Sequence, residues 1–122
     1  MSQILKSVLR VFLSATLLVT VLPAFSANMA FMNDTAGQYF TAQDWNLFGA
    51  NVQHVLNAIP DGKRATWFNP NSGNGGSLIP SQTMRKNGTI CRNLKIINQG
   101  KQRIDQYVFM YCKYRSGWKI QQ

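Results

Sequence analysis

The sequence predicts an α+β domain: one amphipathic helix packed on an antiparallel meander of four to five strands, closed by one disulfide. Three observations predict it. One stretch with helical apolar periodicity, Thr41 to Gly62, precedes everything that reads as strand. From Lys63 onward, short strand-like runs alternate with turn clusters rich in Gly, Asn and Pro. The chain has only two cysteines, Cys91 and Cys112, both in strand-like runs and both behind an export-type N-terminus.

The N-terminus sets the compartment. Lys6 and Arg10 precede an apolar run from Val11 to Leu22, broken only by Ser14, Thr16 and Thr20. Ala24-Phe25-Ser26 then places small side chains where a signal peptidase needs them, which predicts cleavage after Ser26, with Ala27 as the near alternative. The run is short for a bilayer span, which takes about 20 residues. Residues 1–26 are therefore expected to be a signal peptide, 27–40 a flexible arm without periodicity, and 41–122 the folded domain. No cysteine lies near the cleavage site, so N-terminal acylation is not expected.

Thr41 with Asp44 three residues on resembles a capping box, with Asp in place of Glu. Trp45, Phe48, Val52, Val55, Leu56 and Ile59 follow at spacings of three and four, and Pro60 and Gly62 end the helix. The polar face carries Gln43, Asn46, Gln53 and Asn57 but no Lys or Arg, unlike a membrane-surface helix.

Strands are expected at RATWF, SLIPSQTMR, TICRNLKIIN, RIDQYVFMYCKY and WKI. Pro80 argues for an edge or a bulge in the second. Asn87-Gly88 is the strongest hairpin signal. An even cysteine pair in an exported chain reads as one disulfide. If Cys91 faces Cys112 across an antiparallel pair, Arg92 faces Tyr111, Leu94 faces Phe109 and Ile96 faces Tyr107, with the turn at Gly100–Arg103. One face then collects Ile90, Leu94, Ile96, Tyr107, Phe109 and Tyr111 for the helix to cover.

The glycine cluster Gly73-Asn74-Gly75-Gly76 could suggest a phosphate loop. Such a loop ends in Gly-Lys-Ser/Thr and opens a helix, whereas here Ser77-Leu78-Ile79-Pro80 opens a strand. It is read as a turn. His54 is the only histidine, so His clusters for metal are excluded by count, and no cofactor is expected. The acids after the signal peptide are Asp34, Asp44, Asp61 and Asp105, too scattered to form a catalytic pair.

Charge divides the chain. Residues 63–122 carry eleven Lys and Arg against one Asp, whereas residues 27–62 carry three Asp and no base. Arg85, Lys86, Lys101, Arg103, Lys113, Arg115 and Lys119 are the candidate surface for an anionic partner. Lipopolysaccharide, peptidoglycan or an envelope protein is the expected partner, and peripheral membrane contact stays open. Aromatics do interleave with the bases in the last strands. Strand alternation alone yields that mixture, so nucleic acid is the weaker expectation.

The run PDGKRATWFNPNSGNGGSLIP, then GTICRNL, then YCKYRSGWKI resembles the C-terminal domain of the bacterial 17 kDa outer-membrane surface antigen family. The family pattern falls on Pro60, Gly62, Trp67, Asn69, Pro70, Ser72, Gly73, Gly76, Cys91-Arg92, Cys112 and Gly117, with Trp118 close by. Lys113 stands where the family has Arg, and Ser116 where it has Asp. There is no lipobox and no glycine-zipper segment in these residues. The resemblance implies a non-enzymatic envelope protein of a Gram-negative bacterium, periplasmic or at the outer membrane. The alternative is a basic inhibitor or host-directed factor that engages an acidic partner.

Overall fold

The computed structural model describes residues 35–121. The expected signal peptide, the arm up to residue 34 and residue 122 lie outside the described residues. Helix α1 (Ala42–Ala58) is followed by five strands: β1 (Ala65–Phe68), β2 (Gly75–Lys86), β3 (Thr89–Gly100), β4 (Arg103–Tyr114) and β5 (Gly117–Ile120). The strands form one sheet in sequence order, each antiparallel to the next. The sheet curls enough that α1 contacts β1, β2 and β5. The fold is α+β, with the helix in the concave face.

The helix starts as its sequence dictates. The Thr41 hydroxyl accepts from the Asp44 N–H at 3.1 Å, and the Asp44 carboxylate accepts from the Thr41 N–H at 2.8 Å. Phe48, Val52, Val55 and Leu56 point into the core against Trp67, Leu78, Leu94, Ile96, Tyr111 and Trp118. Phe40, Trp45, Phe48 and Trp67 form a run of edge-on ring contacts, with centroids 5.0 to 6.2 Å apart. Pro60 follows the extended residue Ile59 and stops the helix.

Cys91 and Cys112 are bonded across β3 and β4. The register is the one the disulfide implies: Arg92 faces Tyr111, Leu94 faces Phe109, Ile96 faces Tyr107, and Gly100 faces Arg103. Leu94, Ile96 and Tyr111 are buried, while Tyr107 and Phe109 are half-buried. Ile90 departs from the expectation and is 39% exposed. It shares their face, but it lines an open cleft beside Pro60, beyond the end of the helix.

Pro80 sits just past the end of β1, which reaches only Leu78. Its carbonyl faces outward and accepts from the Gly62 N–H at 2.7 Å, so its missing N–H leaves no gap in the ladder to β3. A bulge follows between Ser81 and Met84, where Gln82 has a positive φ of 49°. β2 itself is an interior strand, so Pro80 is at an edge only locally, and the bulge begins one residue after it. The Asn87-Gly88 turn joins β2 to β3 with both residues at positive φ, 51° and 77°.

The expected loose arm over 27–40 is structured in its last residues. Ala36–Tyr39 form a 3-10 turn with Ala36 and Gly37 buried. The Ala36 N–H donates to the Asp105 carboxylate of β4. Four residues are too few for a helical period to show, so the turn left no trace in the pattern.

Candidate functional site

The β1–β2 connection, residues 69–74, carries most of the opening motif, and it folds over the N-terminus of α1. Its anchor is Asp44, which is fully buried. Oδ1 accepts from Asn69 Nδ2 and from Ser72 Oγ, both at 2.7 Å. Oδ2 accepts from the Thr41 N–H and from Asn74 Nδ2, both at 2.8 Å. Burial alone pushes the Asp44 carboxyl up. The bonds from Asn74, the Thr41 backbone, Ser72 and Asn69 outweigh it and hold the group well below the usual carboxylate range.

The asparagines also organise the loop itself. The Asn69 carbonyl accepts from the Gly73 N–H at 2.8 Å, and its side-chain oxygen accepts from the Asn71 N–H at 3.1 Å. Asn74 Nδ2 also donates to the Tyr39 carbonyl at 2.9 Å, which ties in the 3-10 turn. Pro70 is exposed, and Gly73 takes a φ of +77°. Gly76 faces Trp67 across the hairpin. A Cβ there would stand 3.0 Å from Trp67 Nε1 and overlap the Ile97 carbonyl. The cluster is a turn, and it locks the hairpin to the helix.

A second polar centre closes the other end of α1. Arg92 reaches from β3, and all five of its N–H donors are used. Nε donates to Thr83 Oγ1 at 2.7 Å. Nη1 donates to the carbonyls of Val55 and Leu56, at 3.2 and 2.9 Å. Nη2 donates to the Ile59 carbonyl and to Asp61 Oδ1, both at 2.7 Å. The guanidinium satisfies carbonyls that a helix end leaves open and opposes the negative end of the dipole. The Arg92 bond, with two more from Thr83, lowers the Asp61 carboxyl to about 2. A cleft of about 390 Å³ lies beside this centre, lined by Asn57, Asp61, Ile90, Lys113 and Trp118 among others.

Gln53 holds the edge strand. Its amide accepts from the Trp118 N–H at 2.9 Å and donates to the Trp118 carbonyl at 3.0 Å, as a neighbouring strand would. Trp118 Nε1 donates to Asn57 Oδ1 at 2.9 Å. Gly117 has a φ of +114°, and a Cβ there would lie 2.8 Å from Gln53 Oε1. Among the family-motif residues, the polar side-chain groups of Asn69, Ser72, Arg92 and Trp118 are thus spent on internal bonds. Neither polar centre leaves an acid, a base or a nucleophile free, and His54 is exposed on α1.

The candidate basic residues are all exposed, but the fold divides them. Arg85, Lys86, Lys113, Arg115 and Lys119 gather at the end of the sheet that holds the β2–β3 and β4–β5 turns. Lys101 and Arg103 lie at the opposite end, some 36 Å away for 12-residue strands. There Lys101 Nζ sits 4.6 Å from the centre of the Tyr39 ring, and Arg103 Nε is 3.6 Å from Asp105 Oδ2. Arg92, by contrast, belongs to the interior.

Sequence reasoning missed three roles: Asp44 as an anchor beyond its cap, Asp61 as the partner of Arg92, and Gln53 as a strand mimic. One signal was available for the first. The loop carries three asparagines and a serine that need partners, and Asp44 is the only acid in α1.

Two curated relatives, each described as "17 kDa surface antigen", come from Rickettsia bellii, one of them from strain RML369-C. Each is 36% identical over 63 residues, covering 49% of this chain and 40% of the relative. The chain therefore matches less than half the length of these relatives. No solved structure matches it significantly. The family model described as "17 kDa outer membrane surface antigen" matches residues 54–118. That is more than half of the chain, and it spans the end of α1, the whole hairpin motif and all five strands up to Trp118: the protein belongs to the 17 kDa outer membrane surface antigen family.

Proposed function

We propose that this protein is a non-enzymatic domain of the bacterial envelope that binds a polyanionic envelope component. The observation that carries the reading is the division of charge. All three described acids are committed internally: Asp44 to the hairpin lock, Asp61 to Arg92 and Thr83, and Asp105 to Ala36 and Arg103. Of the eleven described Lys and Arg, only Arg92 and Arg103 form ion pairs among the described residues. The surface is therefore close to single-signed, and Arg85, Lys86, Lys113, Arg115 and Lys119 concentrate that sign at one end. Family membership and the export-type N-terminus support an envelope location. Lipopolysaccharide phosphates and peptidoglycan carboxylates both fit the charge.

The test is a pull-down from envelope fractions by the immobilised protein. The expected result is retention of an anionic envelope component, released at ~1 M salt, where the screening length falls to about 3 Å. Replacing the five clustered bases with Gln should abolish retention. Capture of only an acidic protein from outside the envelope would refute the reading in favour of a basic inhibitor. So would retention indifferent to salt.

A further inference from the structure

The helix covers one face of the sheet, and among the described residues nothing covers the other. Strand register assigns its residues. Thr66 and Phe68 of β1 share it with Ser77, Ile79 and Met84 of β2, because Trp67 and Leu78 point the other way. On β3 and β4 it holds Lys95, Ile97, Ile104, Val108 and the disulfide. Two properties set this face apart. It displays large apolar side chains to solvent: Phe68 is 64% exposed, Ile104 66%, Val108 60% and Met84 41%. It also contains no acidic residue, because Asp44, Asp61 and Asp105 all belong to the helix side or its rim. Lys95 stands between Ile79 and Val108 in one cross-strand row, and Lys119 faces Cys112 in another. Lys86 closes the face at the β2–β3 turn.

We infer that this outer sheet face is a docking surface for an anionic lipid bilayer. The inference rests on the polyanion reading above and names the partner. Phe68 and Ile104 lie in one cross-strand row, Phe68–Gly75–Gln99–Ile104, and the Phe68 ring leans over Gly75. Val108 lies two rows along. A bilayer interface takes up such side chains without a shaped pocket, while lysines on the same face keep their stems in the apolar layer and their ammonium groups among the phosphates. Each base near an anionic surface adds to the attraction. A soluble polyanion would satisfy the bases and leave Phe68, Ile104 and Val108 in water. A second copy of the chain would bury the apolar groups, but it would press Lys86, Lys95 and Lys119 against a face with no carboxylate to receive them.

The test uses the processed protein as recovered from cells. Co-sedimentation is measured with equimolar phosphatidylglycerol and phosphatidylcholine vesicles, with phosphatidylcholine vesicles alone, and after competition with soluble polyphosphate. The expected result is binding to the anionic vesicles only, lost at high salt. Ile104→Glu with Val108→Glu should weaken it about ten-fold or more. Asn46→Glu with Ala50→Glu makes the same charge change on the exposed side of α1 and should weaken it no more than about three-fold. Spin-labelled lipid should broaden the Ile104 and Val108 methyl signals of the wild-type protein and spare those of α1, a readout that needs no variant to fold. Binding to polyphosphate without binding to vesicles overturns the docking face and leaves the polyanion reading standing. Binding to neither overturns both. Equal losses in the two double variants, or broadening centred on α1, overturn the face. Loss of a dimer in the Ile104/Val108 variant, with vesicle binding intact, assigns the face to self-association instead.

Discussion

Asp44→Asn is the substitution that most directly tests how the motif loop is held. The change is nearly isosteric, so packing stays constant and only the hydrogen-bond chemistry changes. Four donors converge on the carboxylate: Thr41 N–H, Asn69 Nδ2, Ser72 Oγ and Asn74 Nδ2. An amide keeps one oxygen and turns an NH₂ toward two of them. Its least costly orientation puts the NH₂ toward Oδ1's partners, because the Ser72 hydroxyl can rotate to accept. Asn69 Nδ2 then faces a donor and retains only its bond to Gln43 Oε1, at 3.1 Å. The surviving bonds lose their ionic acceptor, and bonds to charged groups are worth about 1.5–3 kcal/mol against about 1 for neutral ones. The lower cost of burying a neutral group returns part of that loss. The expected destabilisation is about 3 kcal/mol, a large share of the 5–15 kcal/mol typical of a domain.

The same residue predicts a pH response. Folding holds Asp44 below the 3.8 of a free carboxylate, and Asp61 at about 2. In that interval the unfolded chain binds more protons than the native one, so stability rises with pH. It is fully present above the unfolded value and is lost as pH falls toward the folded values. Urea unfolding of the wild-type protein at pH 7, 4 and 3 should show a falling midpoint with an unchanged slope (all pH settings being about these values). In Asp44→Asn the fall should be shallower, because Asp44 no longer contributes. A variant within ~0.5 kcal/mol of wild type, or one with an unaltered acid response, would refute the anchoring role.

Three further outcomes follow from other contacts. Arg92→Lys keeps the charge but cannot supply five donors from a planar fork, so it should cost about 3 kcal/mol by urea unfolding and raise amide exchange in the last turn of α1. A cost below ~0.5 kcal/mol would mean that water replaces the guanidinium. Cys91→Ala opens a loop of 21 residues and should cost about 3 kcal/mol, leaving Cys112 available to a thiol reagent. The unreduced, unfolded wild-type protein should label at no cysteine, since both are bonded. Gly117→Ala meets both the φ of +114° and Gln53 Oε1, so it should free β5 at its edge. Faster amide exchange at Trp118, with the β3–β4 core unchanged, is the expected pattern, and uniform protection would refute it.

The fold was legible where one physical constraint acts over many residues. Helical spacing from Trp45 to Ile59 needs only a single apolar face to bury, and the structure buries it. The β3–β4 register follows from one covalent bond, because fixing Cys91 opposite Cys112 fixes every pair between them. What stayed hidden depends on single side chains meeting across long separations. Asp44 reads as a cap because its partner Thr41 is local, whereas Asn69, Ser72 and Asn74 arrive 25 to 30 residues later in the chain. Gln53 reads as polar surface because nothing local announces that an edge strand ends beside it, 65 residues on. Ile90 fails the burial expectation for a similar reason. Alternation gives its face, but only the end of the helix decides how far along that face the cover extends.

The two legible groups point to different tasks. Several residues that carry family membership face inward, whereas Pro60, Gly62, Pro70 and Gly73 are exposed: Trp67 packs in the core, Asn69 and Ser72 bind Asp44, Arg92 closes the helix, and Gly117 admits Gln53. The two polar centres use their bonding capacity within the fold, since the Asp44 carboxylate has four donors and the Arg92 guanidinium five acceptors. On the polyanion proposal, a partner would be met by residues outside these two centres. Those are the bases at the two sheet ends and the apolar groups of the bare face, where Phe68, Ile104 and Val108 lie mostly in water. Leaving them there in the free protein costs burial that the helix side fully exploits. On the bilayer proposal, that face is where contact gains free energy, and its lysines favour an anionic surface.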